Sequence, residues 1–237
     1  MYYHYPMYFD PTYFLVVIGV ILSLAASARV KSTFARFQRV ANHSGMTGRE
    51  AAERILRQAG IYDVRIERVA GQLTDHYDPG NKVLRLSDSI YQSSSVAAIG
   101  VAAHECGHAI QHATGYAPLR FRGALVPVAN FGATIAWPLI VLGLFMTSRS
   151  SAVMINIGIL AFSLSVLFHI VTLPVEFNAS NRAVKILAGG GYLYPDEVAA
   201  TRKVLNAAAL TYVAGAASAI LQLVRILILT GGRRNDE

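Results

Sequence analysis

The chain has 237 residues, 54% of them hydrophobic and only 15% charged, with a positive mean hydropathy of +0.40. That balance excludes an ordinary soluble domain. The formal charge of +7 comes with no aromatic-interleaved basic patch and no G-x-x-x-x-G-K loop, so neither nucleic-acid binding nor an attached ATPase is expected.

Four segments lack Asp, Glu, Lys and Arg for long enough to cross a bilayer: residues 11–28, 124–146, 150–175 and 206–224, the last in a helix expected to run to residue 229. Too little polar surface would remain to cover four buried helices of this kind in a soluble fold. Tyr2, Tyr3, Tyr5, Tyr8 and Tyr13 suit an aromatic belt at the first interface. The N-terminus lacks the positive start of a signal peptide, so the first span reads as an uncleaved anchor.

After that span, residues 29–39 predict a basic, partly amphipathic helix along the membrane surface. Thr47 and Glu50 form a capping box for a helix whose apolar face carries Ile55, Leu56 and Ala59, and Gly60 ends it. Val64-Arg65-Ile66-Glu67-Arg68-Val69 alternates strictly, as a half-buried strand does. Residues 73–77 and 82–87 flank Asp78-Pro79-Gly80-Asn81, a turn, and predict a hairpin. A strand just ahead of the next helix has a free edge on which an extended peptide substrate can pair. Asp75, Asp78 and Asp88 read as turn and cap residues.

The next helix carries the main chemical signal. Ser93, Ser94 and Ser95 offer N-cap oxygens, residues 96–103 lead in without a breaker, and Gly115 supplies the stop, giving about five turns. Within it, His104-Glu105-Cys106-Gly107-His108 reads H-E-x-x-H. Histidines four apart share one helix face, about 6 Å apart at the backbone, so both imidazoles can reach one metal ion. Glu105 lies beside the first of them, where a carboxylate can deprotonate a metal-activated water. Small neighbours (Ala102, Ala103, Gly107, Ala109) allow another backbone to approach. His112 lies about 12 Å of rise beyond His104, too far to join the same ion, and is expected to orient or pack. Cys106 is the only cysteine, which excludes an internal disulfide and agrees with a reducing compartment.

Thirteen of the 21 Lys and Arg fall between Arg29 and Arg122, and four more are Arg182, Lys185, Arg202 and Lys203. The positive-inside rule puts residues 29–118 and 176–205 in the cytoplasm and both termini outside. A catalytic zinc takes three protein ligands and leaves the fourth position to water. Glu176 is the expected third ligand, because it follows the third span on the same side as His104, just after Pro174, which marks a helix start or kink. Asn178 and Ser180 are placed to hydrogen-bond and orient a ligand. His169 reads as an interior-facing polar residue of that span.

Three stretches, Leu73-Thr74-Asp75-His76-Tyr77-Asp78-Pro79, the His104–His112 motif and Pro174-Val175-Glu176-Phe177-Asn178-Ala179-Ser180, resemble the YugP-like neutral zinc metallopeptidases, as does Val204-Leu205-Asn206-Ala207-Ala208-Ala209-Leu210-Thr211-Tyr212. The resemblance runs over roughly residues 13–229. It implies a bacterial-type integral membrane zinc peptidase with His104, His108 and Glu176 on zinc and Glu105 as catalyst. The layout is also similar to the membrane gluzincins, including the CAAX prenyl proteases, except that Ser180 stands where those commonly carry an aspartate.

The expected architecture is therefore a mainly α, polytopic membrane protein with four transmembrane helices and a small α+β zincin-like cytoplasmic unit. The expected activity is hydrolysis of peptide or membrane-protein substrates at the bilayer surface, with Tyr77, Tyr116, His112 and Arg182 as candidates to stabilise the oxyanion. Two rivals remain. An intramembrane zinc protease shares H-E-x-x-H, but here the motif has polar flanks, lies outside the four spans and is followed by no Asp-Gly pair. A non-enzymatic zinc-binding scaffold would not need Glu105.

Overall fold

The computed structural model describes residues 10–146 and 149–231, so Tyr2, Tyr3, Tyr5 and Tyr8 lie outside the described residues. In chain order the elements are α1 (Tyr13–Phe37), α2 (Gly48–Gln58), β1 (Arg65–Val69), β2 (His76–Asp78), β3 (Val83–Ser87), α3 (Asp88–Tyr91), α4 (Val96–Ala113), α5 (Ala117–Phe145), α6 (Arg149–Gly189) and α7 (Pro195–Gly231). Helices α1, α5, α6 and α7 contain stretches long and apolar enough to cross a membrane.

Each of these helices outruns its charge-free segment. The basic stretch after the first span prolongs α1 without a break. Its Phe34 and Phe37 are buried in the protein core, so the apolar side of this stretch packs on protein and not on the membrane surface as expected. Pro174 lies inside α6 and does not start it, as Pro127 and Pro138 lie inside α5. Charge-free length marks the lipid-compatible part of a helix, whereas the hydrogen-bond ladder ends only at a real stop.

The chain divides into two compact units. The first comprises residues up to 25, 124–170 and 213 onward, and consists of the apolar parts of α1, α5, α6 and α7. Its helices approach closely at glycine. A Cβ on Gly158 would lie 3.0 Å from the Ala136 carbonyl oxygen, and one on Gly132 would lie 2.6 Å from that of Ala161. The Ser218 hydroxyl donates to the Gly19 carbonyl at 2.9 Å, and Arg225 pairs with Asp10 at 2.9 Å while lying over the Tyr13 ring. His169 faces Gly215 in this unit.

The second unit, residues 26–123 and 171–212, holds the motif helix. Its core gathers Phe34, Ile55, Leu84, Leu86, Ile90, Ile99, Leu187 and Leu205. The Thr47–Glu50 capping box forms as expected and α2 buries Ile55 and Leu56. The sheet order is β1-β3-β2, with β1 parallel and β2 antiparallel to β3. The hairpin exists, but its first arm shrinks to His76–Asp78 because Gly71 and Leu73 adopt positive φ and turn the chain just before it. The strand immediately ahead of the motif helix, β3, is central and paired on both sides, so it offers no free edge; the free edges belong to β1 and β2. Asp78 caps the turn by accepting from the Gly80 and Asn81 N–H groups, and Asp88 pairs with Arg68. Asp75 does more than turn the chain: its carboxylate accepts from the Ser87 N–H at 2.6 Å and its hydroxyl at 3.0 Å, fastening the entry of β2 to the end of β3. Burial raises the Asp75 carboxyl above its ordinary range, and these Ser87 bonds offset only part of that. Glu197, at the start of α7, is buried and accepts from the backbone and ring nitrogens of His43, both at 2.7 Å, tying the segment after α1 to that helix.

Candidate metal centre

The Ser95 hydroxyl caps α4 by accepting from the Ala98 N–H, and Gly115 ends it at φ +62°. The spacing of four residues sets His104 and His108 one turn apart on this helix, their rings edge-to-face with centroids 4.8 Å from each other. Glu176 comes from α6, and all these residues belong to the second unit. Gly107 lets the two helices meet: a Cβ there would lie 2.7 Å from the Ala179 carbonyl oxygen. Oε2 of Glu176 sits 3.2 Å from His104 Nε2 and 3.4 Å from His108 Nε2. The ligand atoms of the three side chains lie within 4.8 Å of one another.

Each of these donors is oriented by a neighbour. Gln111, fully buried one turn beyond His108, donates its amide to the Val175 carbonyl at 2.8 Å and to Asn178 Oδ1 at 3.0 Å. Its carbonyl oxygen therefore faces His108 Nδ1 at 3.0 Å and must accept from it, which leaves the His108 Nε2 lone pair free to bind a metal. Ser180 Oγ takes the same place beside His104 Nδ1, at 3.1 Å. Ser180 thus makes the contact expected of a residue that orients His104. Asn178 reaches the ligands through Gln111 and also accepts from Arg182 Nε at 2.7 Å.

The donor set fits a cation. Side-chain exposure is 12% for His104, 11% for His108 and 3% for Glu176, so this is an enclosed cluster and not a surface ion pair. Burial would pull the His108 imidazolium below its ordinary value, yet the Glu176 and Glu105 carboxylates outweigh it and raise it. The pocket therefore attracts positive charge. Two imidazole nitrogens and one carboxylate oxygen suit zinc. Glu105 is 7% exposed, and its carboxylate makes no hydrogen bond or ion pair with the described residues. Tyr212 of α7 places its phenol beside Glu176, with Glu105 within electrostatic reach.

Cys106 turns the other way. Its Sγ points at the Ala52 carbonyl, 3.7 Å off, and burial pushes its thiol up, followed by the nearby Glu105 charge. The thiol is therefore expected to resist a thiol reagent such as iodoacetamide in the folded protein and to react fully on unfolding. Mass spectrometry of the alkylated chain checks this; rapid labelling of the native protein would show that α4 does not bury this face. His112 hydrogen-bonds the Tyr77 hydroxyl at 2.9 Å, linking α4 to β2, and lies outside the three-residue cluster. Arg182 stacks on Tyr116 at 5.9 Å.

Residues 12–231 match the family model described as "Putative neutral zinc metallopeptidase". The chain belongs to this family. It is 46% identical over 221 residues to "Putative membrane protease YugP" of Bacillus subtilis strain 168, an alignment covering 93% of this chain and 97% of that protein. No solved structure matches it significantly. With a membrane-protease relative and four apolar helices, the chain is a multi-pass membrane protein.

Sequence reasoning placed His104, His108 and Glu176, and named Ser180 and Asn178 as orienting residues. It missed Gln111, Tyr212 and Arg122, whose Nη1 donates to Glu176 Oε1 at 3.3 Å. Gln111 carried a usable signal, since a residue three after a ligand on one helix lies beside it. Arg122 read only as a topological charge, and Tyr212 as part of an apolar helix.

Proposed function

We propose that this protein is a membrane zinc peptidase that hydrolyses peptide bonds of peptide or membrane-protein substrates at the cytoplasmic face of the bilayer. The convergence of His104, His108 and Glu176 beside a Glu105 carboxylate that makes no hydrogen bond with the described residues carries this reading. His104 and His108 through Nε2, and Glu176 through Oε2, would hold the ion. Bound zinc supplies Lewis-acid chemistry: it acidifies water and polarises the scissile carbonyl. The Glu105 carboxylate takes a proton from the attacking water as its oxygen joins the carbonyl carbon. The same carboxyl group then delivers that proton to the leaving nitrogen as the C–N bond breaks, so water and one peptide bond become a carboxylic acid and an amine, which exchange the remaining proton to leave a carboxylate and an ammonium group. The Tyr212 phenol, beside Glu176 and within electrostatic reach of Glu105, joins Tyr77, Tyr116, His112 and Arg182 as a candidate to support the developing oxyanion.

The β2 strand offers a way to hold the substrate. Its outer edge is free, and the Tyr77–His112 bond fixes it beside α4, so an extended peptide can add as a further strand along it. Sidedness follows from the basic residues, seventeen of which lie in the two segments 29–122 and 182–203. That distribution supports a cytoplasmic site and outward termini.

Purified full-length protein in detergent tests the reading. It is expected to cleave unstructured reporter peptides, to lose cleavage on treatment with a zinc chelator, and to regain it on addition of zinc. Chelator-insensitive cleavage would overturn the metal chemistry. Cleavage restricted to transmembrane segments would favour an intramembrane protease.

A further inference from the structure

The two oxygens of Glu176 have different partners. Oε2 faces both imidazoles, whereas Oε1 accepts from Arg122 Nη1 at 3.3 Å. We propose that Arg122 is a positioning residue of the metal centre: it holds the outer oxygen of Glu176 so that the inner oxygen alone is offered to the ion. This rests on the reading of His104, His108 and Glu176 as zinc ligands.

The geometry gives Arg122 work that membrane topology does not require. A glutamate carboxylate rotates in a broad, nearly two-fold well, so an unheld Glu176 would exchange its oxygens or present both. The guanidinium is a fixed planar fork, and its side chain is 30% exposed against 3% for its partner. A charge-assisted bond in that setting is weakened less by solvent than a surface pair. Arg120, two residues earlier on α5, carries the same charge at the same end of the helix, but its side chain is exposed and makes no ion pair with the described residues. A role in topology alone would be served equally by either arginine. Only Arg122 reaches the ligand.

Zinc affinity, measured on the purified full-length protein by competition with a chelator, reads the proposal without reference to activity. Arg122→Gln is expected to weaken zinc binding about 10–100-fold, the usual effect of removing a residue that orients a metal ligand. Arg122→Lys is expected to recover part of that loss, and Arg120→Gln to bind as wild type does. Unfolding temperatures in excess chelator should match across all four proteins. Wild-type affinity in Arg122→Gln would overturn the proposal, as would an equal loss in Arg120→Gln or a lowered chelator-state melting temperature in Arg122→Gln. Failure of the wild-type protein to bind zinc would instead remove the ligand reading on which this rests, and the role of Arg122 with it.

Discussion

Glu105→Gln should retain zinc at wild-type affinity and lose at least about 10²–10⁴-fold in kcat, the range attributed to a positioned general base. The substitution keeps the shape of the side chain and removes only its capacity to take a proton. Glu105 is not among the three converging ligands, so the ion loses no donor. The wild-type carboxylate makes no hydrogen bond with a described neighbour, so none is broken in the buried site, although its charge is felt by the His108 imidazole. Zinc content and turnover of a reporter peptide, measured on the same sample, separate the two effects. Unchanged turnover would assign proton transfer to another group, and loss of zinc would make Glu105 a structural part of the cluster.

Gly107→Ala should damage the site as severely by an entirely different route. The added methyl would lie 2.7 Å from the Ala179 carbonyl oxygen and 3.1 Å from its Cα, and both are backbone atoms that cannot swing aside. Overpacking of this kind costs about 1–3 kcal/mol. It is relieved only by moving α4 away from α6, the two helices that carry the histidines and Glu176. A shift of even a fraction of an ångström opens the ligand cluster, because Glu176 is already 3.2 and 3.4 Å from the two rings. We therefore expect a lower unfolding temperature together with at least about tenfold weaker zinc binding, although alanine is the better helix former. Thermal unfolding and chelator competition check both. A stabilised Gly107→Ala with normal zinc affinity would show that the helices do not approach so closely.

Local signals in the sequence were read well where the physics is local. The i, i+4 histidines, the Thr47–Glu50 box, the Ser95 cap and the Gly115 stop depend on residues within one or two turns, and all formed. Glu176 was reachable from afar because bilayer topology limits which residues can face one another. Sheet order was not, since nothing in the alternation of residues 64–69 reveals that they pair in parallel with β3 and make it central. Charge-free length gave the lipid-compatible stretches but not the helix ends, as in α6, because a helix does not stop at the lipid boundary. Arg122 and Gln111 were invisible as site residues for a related reason. A polar side chain shows its partner only after distant helices are brought together, and in both cases that partner is on α6.

Zinc-edge X-ray absorption of the purified protein, beside chelator titration of Glu176→Ala, probes the three-residue cluster itself. The structure predicts about one zinc per chain, with scattering from two imidazoles and oxygen, and much weaker binding once the Glu176 carboxylate is gone. A sulfur scatterer from Cys106, or full zinc affinity in Glu176→Ala, would contradict it.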